Sequence, residues 1–272
     1  MPELSHLDNP YFSSTLFSNA RTCLSVILDN LSISKLYIPS YICNSLIDVI
    51  REKNIVYEVY TIDLELFPKE VFNIKSSEFF LYVNYFGVCS INIKKLNNIY
   101  GKKLIIDNSM AFFANNNEYI CFNSARKFFG VPDGAYISGI KVKHSLKKRI
   151  NTSNYHIKLR DNNRVIEGYK LYLNNEKKLN TIDQKASLES IYKLKHINYK
   201  YIIKRRLNNY NYLENNLKQY NCLTVDKCEN DIPMSYPLLL NKVIDRSLFH
   251  RKKFFIPSFW DEMYYYNYTI SN

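Results

Sequence analysis

Residues 121–135, CFNSARKFFGVPDGA, are the most informative part of the sequence. The first residues of this stretch close an apolar strand, predicted from Glu118 to Phe122, and two glycines later in the stretch allow backbone turns that a side chain would block. Ser124 follows the strand directly and could hydrogen-bond a phosphate. Lys127 lies between an arginine and two phenylalanines, where partial desolvation and a cationic neighbour would depress its pKa. From the residues alone, a surface lysine in a turn is an equally good interpretation.

Outward from this stretch, strand and helix patterns alternate along the chain. Short apolar runs bounded by turn residues predict strands, and apolar positions at helical spacing predict helices between them. Strands joined through helices need crossover connections, which give an α/β fold with a mainly parallel sheet and helices on both faces. The predicted strands are 35–38, 56–60, 79–85, 103–107, 118–122 and 135–138, and the predicted helices are 20–31, 43–52, 164–180 and 187–220.

The pattern changes near residue 150, which predicts two domains. Residues 1–150 form the large α/β domain in this prediction. Residues 151–272 contain long polar helical segments and then two short strands at 222–225 and 237–240, which indicates a helical linker and a small C-terminal α+β lobe. Ligands of open parallel sheets bind at the carboxyl ends of the strands, so the residues that follow each strand are the site candidates.

Composition excludes several classes of protein. The chain is 46% hydrophobic and 23% charged, as in an ordinary globular protein. It has no apolar run long enough for a membrane span and no secretory signal at its start, so we predict a cytoplasmic protein. Its six cysteines are scattered without metal-ligand spacing, which indicates reduced thiols and no metal site. The net charge of +12 lies in short, separate basic runs, which favours a small anionic substrate over nucleic acid.

Two further clusters stand where a ligand could bind. Residues 18–22, Ser-Asn-Ala-Arg-Thr, begin the first helix, where free amides and the helix dipole suit a phosphate; a simple helix cap is the alternative. Asp107 ends an apolar strand and would need a cationic partner there, such as a protonated pyridine nitrogen. The alternative is an aspartate that caps the next turn.

In this order, the three clusters resemble the DegT/DnrJ/EryC1/StrS family of pyridoxal-phosphate-dependent sugar-nucleotide aminotransferases. The resemblance rests on residues 17–24 with 37–41, on Asp107 with Ser109 and Ala111, and on residues 124–134. A weaker similarity continues through 205–210 and 235–238, so the resemblance covers most of the chain. It implies fold type I of the pyridoxal-phosphate transferases, the fold of aspartate aminotransferase.

The resemblance also implies roles for individual positions. Lys127 matches the lysine that binds pyridoxal 5'-phosphate covalently and moves the substrate proton. Asp107 matches the partner of the pyridinium nitrogen. Met110 stands where many members have a Gln or His beside the cofactor's phenolic oxygen, and it cannot donate a hydrogen bond. The remaining cofactor-binding positions are Ser124 and the helix start at Ala20, Arg21 and Thr22 for the phosphate, and Tyr41 and Cys43 for ring stacking, although Cys43 lacks the aromatic ring often found there.

The implied reaction moves an amino group, with glutamate as the expected donor, onto a nucleotide-linked keto-sugar for surface polysaccharide or lipopolysaccharide O-antigen synthesis. Family members work as homodimers whose sites are completed by the neighbouring subunit, and the C-terminal lobe of this chain is expected to be shorter than theirs. Sugar dehydration with the same cofactor is disfavoured, because that branch has histidine at the position of Lys127. The alternative from another class is a degenerate, non-catalytic binding or scaffold protein with this fold.

Overall fold

The structure is a computed structural model of the chain. It describes residues 11, 14–114, 118–143, 146, 148–179, 184–252, 254, 256–257 and 259–260. Among these residues, no helix is both long and apolar enough to cross a membrane.

A six-stranded sheet forms the centre of the molecule, and its strands run in the order β2-β1-β3-β4-β5-β6. The first five are parallel, and β6 is antiparallel to β5. Every residue of β3, β4 and β5 is buried, so both faces of the sheet are covered there, as in other parallel sheets. The predicted fold class is therefore confirmed. The strands are β1 Lys35–Pro39, β2 Val56–Tyr60, β3 Glu78–Val83, β4 Leu104–Asn108, β5 Ile120–Asn123 and β6 Ile137–Ser138, with a separate parallel pair β7 Lys148–Arg149 and β8 Gln184–Lys185.

Helices connect the strands and continue beyond the sheet. Helix α1 lies against β5, and α3 lies against β4. The periodicity above predicts α1, α2 and α5 closely, whereas it does not predict α3 or α4. The helices are α1 Ala20–Leu31, α2 Asn44–Glu52, α3 Ser90–Tyr100, α4 Tyr155–Asp161, α5 Val165–Lys178, α6 Leu188–Lys195, α7 Tyr199–Leu217 and α8 Ser247–Arg251.

The strand order reverses at one point in the sheet. From β1 the chain moves outward to β2, and it then returns to place β3 on the other side of β1. The connections after β1 and β3 therefore lead to strands on opposite sides of this point, and in parallel sheets such a reversal marks the crevice where ligands bind.

The predicted helix 187–220 is two helices. Asn198 divides them, because its side chain accepts a hydrogen bond from the backbone N–H of Tyr201 (3.0 Å) and so caps α7. Helix α6 has its own cap, the side chain of Ser187, which accepts from the N–H of Ser190.

The strands predicted at 222–225 and 237–240 are absent. The two segments do lie side by side, and the N–H of Cys222 donates to the carbonyl of Leu239 (2.7 Å). The Asn221 side chain, however, takes the place of a strand ladder: its Oδ1 accepts from the N–H groups of Leu223 and Leu239, at 3.2 and 2.9 Å. The predicted α+β lobe is thus helical and irregular in this part.

All six cysteines are free thiols, and Cys23, Cys89 and Cys121 are buried whereas Cys43, Cys222 and Cys228 are half-buried. The described part of the chain also contains no cluster of His, Cys, Asp and Glu that could hold a metal ion.

Candidate active site at the carboxyl edge of the sheet

Asp107 lies at the carboxyl end of β4 and is only 3% exposed. The backbone N–H of Ser109 donates to its Oδ1 (2.7 Å). Burial raises the pKa of Asp107, although the charge of Lys127 and the hydrogen bonds from Ser109 act in the opposite direction. The carboxylate is therefore costly to ionise in place, and a cation beside it would stabilise the charged form.

Lys127 ends a turn of 3-10 helix, Ala125–Lys127, that follows β5 directly. Ser124 starts this turn and is buried. Lys127 itself is exposed, so the partial desolvation expected from its aromatic neighbours is not found. The reason is that Phe128 and Phe129 point away from the lysine into a second hydrophobic cluster, where each is 7% exposed. Because β4 and β5 are adjacent and parallel, Lys127 and Asp107 meet at the same sheet edge.

Backbone hydrogen bonds place the start of α1 beside the lysine turn. The N–H of Gly134 donates to the carbonyl of Ser18 (2.7 Å), and the N–H of Ala125 donates to the carbonyl of Gly134 (2.9 Å). Gly134 has φ +123°, and a Cβ there would lie 3.4 Å from the Cβ of Ala125. Glycine thus lets three segments meet: the helix start, the glycine turn and the lysine turn.

The first turn of α1 is only partly satisfied within the helix. Asn19 caps it, because its Oδ1 accepts from the N–H of Thr22 (3.1 Å), and Thr22 also exchanges a hydroxyl hydrogen bond with Ser18 (3.0 Å). The amides of Ala20 and Arg21 precede Cys23, whose N–H is the first to donate to a carbonyl of the helix, that of Asn19 (3.1 Å). The Thr22 amide of the predicted phosphate cradle is thus used by the Asn19 cap, and the amides of Ala20 and Arg21 are the ones placed to meet a ligand.

Arg21 and Arg126 share one carboxylate, that of Glu176 on α5. Arg21 Nη2 lies 3.9 Å from Glu176 Oε2, and Arg126 Nη2 forms a close ion pair with Oε1. Burial lowers the pKa of Arg126, the hydroxyl of Tyr172 opposes this, and the charge of Arg21 lowers the pKa further. Burial is also the main cause that lowers the pKa of Arg21. The two guanidiniums are therefore close enough to repel each other, and Glu176 holds them together.

Tyr41 and Cys43 follow β1 at the crevice. The Tyr41 ring stacks on Tyr85, with centroids 5.6 Å apart, and meets Trp260 edge-on at 4.7 Å. The hydroxyl of Tyr85 donates to the carbonyl of Tyr41 (2.8 Å). Cys43 is half-buried, and its Sγ lies 3.1 Å from the hydroxyl of Ser45. The aromatic wall at this position is thus built from Tyr41 with residues from two other segments.

Met110 belongs to the main hydrophobic core and is 1% exposed. Its carbonyl lies against Gly87, which has φ +76° and whose Cβ, if present, would be 2.8 Å from that oxygen. The preceding residue, Phe86, has φ +56° although it is not a glycine. This strained turn after β3 is fixed from outside, since the N–H of Met234 donates to the carbonyl of Phe86 (2.8 Å).

Arg206 on α7 braces the residue next to Lys127. Its guanidinium lies 4.4 Å from the ring centroid of Phe128 and donates to the carbonyls of Phe128 (3.3 Å) and Met234 (2.8 Å). Its Nε is buried and has no hydrogen-bond partner among the described residues. Burial alone lowers the pKa of this arginine. The brace connects α7, the lysine turn and the segment that holds the strained Phe86 turn.

The structure therefore brings Lys127, Asp107, Ser124 and the α1 start together, and it places Tyr41 and Cys43 at the adjoining crevice. Sequence reasoning missed Glu176, Tyr172 and the brace formed by Arg206. Nothing in a polar helix marks one glutamate as the partner of two distant arginines.

Sequence reasoning also missed a buried asparagine pair, in which Asn84 Nδ2 donates to Asn108 Oδ1 (3.0 Å). Both asparagines stand at strand ends, so the rule that selected Asp107 could have found them.

No family model and no curated protein matches the chain. Among solved structures, AtS13 from Actinomadura melliaura has a TM-score of 0.54 and 9% sequence identity, with 90% of this chain and 71% of that protein covered. The sugar aminotransferase CalS13 from Micromonospora echinospora has a TM-score of 0.53 and 11% identity, with 90% and 72% covered. At such identities the likeness establishes the fold, which is the predicted fold type I.

The chain is shorter than the proteins it resembles. It covers 65% of a solved structure from Burkholderia pseudomallei K96243 and 67% of the 8-amino-7-oxononanoate synthase from Francisella tularensis. It thus spans about two thirds of their length.

Proposed function

We propose that this protein is a pyridoxal-phosphate-dependent aminotransferase that acts on a sugar. One observation carries the proposal: a buried carboxylate, Asp107, lies at the carboxyl end of a parallel strand with the charge of Lys127 acting on it. The similar fold of CalS13, a sugar aminotransferase, supports the same assignment.

The residues at this site fit pyridoxal phosphate in three respects. Asp107 is buried and its ionised form needs a cation, which a protonated pyridine nitrogen would supply. The amides of Ala20 and Arg21, with Ser124, offer hydrogen-bond donors at the positive end of α1 for a phosphate. Lys127 is exposed, so its amine is accessible to an aldehyde. When bound, the cofactor supplies a ring that accepts the electrons released at the substrate carbon.

Each residue of the chain then has a defined task. Asp107 keeps the proton on the pyridine nitrogen, because its carboxylate is held in a buried position where an opposite charge is strongly favoured. Lys127 would hold the cofactor through its amine, and the same amine, when free, would move a proton between two carbons of the substrate. The start of α1 and Ser124 hold the phosphate, which fixes the reacting atoms relative to Lys127.

The finer assignment follows from the family resemblance. We propose an amino-acid donor, with glutamate as the expected one, and a nucleotide-linked keto-sugar as acceptor. We further propose that the reaction serves surface polysaccharide or lipopolysaccharide synthesis in the cytoplasm, in a homodimer. The division into residues 1–150 and 151–272 belongs to the same proposal.

Visible absorbance with added pyridoxal phosphate tests the assignment. We expect the wild-type protein to give a new band that borohydride removes, and peptide mass mapping to place the reduced adduct on Lys127. The Lys127→Ala protein should lack this adduct and lose activity by at least about 100-fold, the scale of a lost proton-transfer group. Lys158→Ala, at another lysine of the chain, is the control and should behave as the wild type.

The rival assignment is a non-catalytic protein with the same fold. The core position of Met110 favours it, since that side chain offers the cofactor no hydrogen bond. A wild-type protein that forms no adduct at Lys127 would overturn the proposal and support this rival. An adduct spread over many lysines would have the same meaning.

A further inference from the structure

Arg21 and Arg126 already bind one carboxylate, the side chain of Glu176. Two guanidiniums approach one carboxylate from two directions, with Arg21 Nη2 3.9 Å from Oε2 and Arg126 paired with Oε1. Tyr172, one helical turn before Glu176, interacts with Arg126 through its hydroxyl. Planar guanidiniums match the geometry of carboxylates. The cluster is thus already shaped to hold a carboxylate.

This cluster adjoins the proposed reaction site. Arg126 immediately precedes Lys127 in the turn after β5, and Arg21 lies in the first turn of α1 beside the proposed phosphate cradle. The guanidinium side chains are 18% and 23% exposed, so both are shielded yet open to a small ligand. If the Glu176 side chain moved away, the guanidiniums of Arg21 and Arg126 would both be available to a ligand at the proposed reaction site.

Glu176 is the member of the cluster that can leave. It stands near the end of α5, its side chain is 31% exposed, and it reaches the arginines through a flexible side chain. Both arginines, in contrast, are fixed by segments that hydrogen bonds tie together through Gly134. Ion pairs at this level of exposure are weak, so a competing carboxylate can replace Glu176 at small cost.

We propose that Arg21 and Arg126 form the binding site for a carboxylate of the amino-acid donor, and that Glu176 is an internal competitor that occupies the site until the donor arrives. The identity of the carboxylate rests on the proposed function. The existence of the site does not, because it is made of residues of this chain alone. While Glu176 occupies the site, the donor can bind only to the molecules in which the site is free. The apparent dissociation constant of the donor is therefore the intrinsic constant divided by the fraction of free sites.

Calorimetric titration of the full-length protein without cofactor tests this proposal. The probe is glutarate, which carries two carboxylates, and its uncharged diamide glutaramide is the matched control ligand. We expect Glu176→Gln to bind glutarate at least about fivefold more tightly than the wild type. Arg126→Gln should bind it more weakly than the wild type, and no form should bind glutaramide. Equal affinity in wild type and Glu176→Gln would overturn the proposal.

Two further arms make the result specific. Glu189→Gln removes a glutamate of similar exposure, which pairs with Lys193 at 3.6 Å on α6, and should leave glutarate binding unchanged. Inorganic phosphate is the second probe: a Glu176→Gln protein that binds phosphate but not glutarate would assign the arginines to a phosphate group and overturn the proposal. If Arg126→Gln does not fold, Arg21→Gln replaces it.

The outcome is separable from that of the proposed function. Tight glutarate binding by Glu176→Gln without any adduct at Lys127 would retain the carboxylate site and reject the aminotransferase. An adduct at Lys127, together with equal glutarate binding by Glu176→Gln and the wild type, would retain the aminotransferase and reject the carboxylate site.

Discussion

Two groups of charged residues meet at the candidate site, and they are built in opposite ways. Asp107 is 3% exposed on a strand whose neighbours fix it on both sides. Glu176 is 31% exposed on a helix outside the sheet, and its side chain reaches across to Arg126. The first carboxylate is held rigidly and is costly to ionise, whereas the second is adjustable and already paired.

The difference separates two kinds of contribution to function. A buried carboxylate with a raised pKa destabilises the fold when it ionises, and proteins keep such groups where a reaction needs them. A part-exposed ion pair costs less to break than a buried one, so it can be exchanged for a ligand. Asp107 at the sheet edge would thus provide a negative charge in a fixed position. Glu176 on α5 would provide a carboxylate that a ligand can replace.

The largest effect is expected at Asp107. Asp107→Asn keeps the shape of the side chain but removes its charge, so transamination should fall by about 100-fold or more. Unfolding in guanidinium chloride should show a gain in stability at neutral pH, because the buried charge is gone. Activity and stability should therefore change in opposite directions. Loss of both would indicate that Asp107 serves only the fold.

The pH dependence of stability gives a second view of the same residue. Burial raises the pKa of Asp107 above the ordinary value of about 3.9. The folded state then binds its proton more tightly than the unfolded state, so this group's contribution to stability is greatest at low pH and is lost as the pH rises through the folded pKa. The difference in stability between Asp107→Asn and the wild type should accordingly grow with pH in that window. A constant difference would contradict the assigned pKa shift.

The next largest effect is expected at Gly87, in the turn that packs on the backbone of Met110. Gly87→Ala introduces a side chain at φ +76° and a Cβ 2.8 Å from the Met110 carbonyl oxygen, so it should cost about 2–4 kcal/mol of unfolding free energy. Gly101→Ala is the control: φ is +51°, but nothing lies within 4 Å of its Cβ. It should cost only the backbone strain, and an equal loss in both proteins would mean that the close contact at Gly87 is unimportant.

Sequence patterns predicted the sheet well because each strand is defined locally. The residues of β2 coincide with the predicted 56–60, and Asp107 was found because it ends an apolar run. Fold and sheet-edge site both depend on this local signal, together with the rule that strand ends carry ligands. Lys127 was located in the same way. Its exposure was not predicted, because Phe128 and Phe129 turn toward a hydrophobic cluster formed with residues distant in the sequence.

The features that sequence patterns could not predict depend on pairs far apart in the chain. Glu176 and Arg126 are 50 residues apart, and Arg206 and Phe128 are 78 residues apart. The wrongly predicted strands at 222–225 and 237–240 depend on a side chain that bonds both to its own segment and to the other one. Their apolar residues suit a strand, but the side chain of Asn221 takes the backbone hydrogen bonds that a ladder would need. A single sequence contains no signal for such pairings.

An intermediate effect on stability is expected at Arg206, which contacts Phe128 beside the lysine turn at the rigid sheet edge. Arg206→Met keeps the length of the side chain but loses two charged hydrogen bonds and the contact with the Phe128 ring, so it should cost about 1.5–3 kcal/mol of unfolding free energy. Arg205→Met, at the exposed neighbouring arginine, is the control and should change stability by less than about 0.5 kcal/mol. Hydrogen exchange should speed up at the Phe128 and Met234 amides in Arg206→Met alone. Unchanged exchange there would show that the brace does not hold the lysine turn.

The smallest effect on stability is expected at Glu176, on the adjustable side. Its pairs with Arg21 and Arg126 are part-exposed, so Glu176→Gln should change the free energy of unfolding by less than about 1 kcal/mol, and high salt should reduce the difference. Guanidinium chloride interferes with such measurements because it is itself a salt, so urea is the denaturant to use. A loss above about 3 kcal/mol would indicate a buried pair whose breakage leaves a stranded charge. Glu176 would then be a fixed part of the fold like Asp107, and exchange with a donor carboxylate would be excluded on energetic grounds.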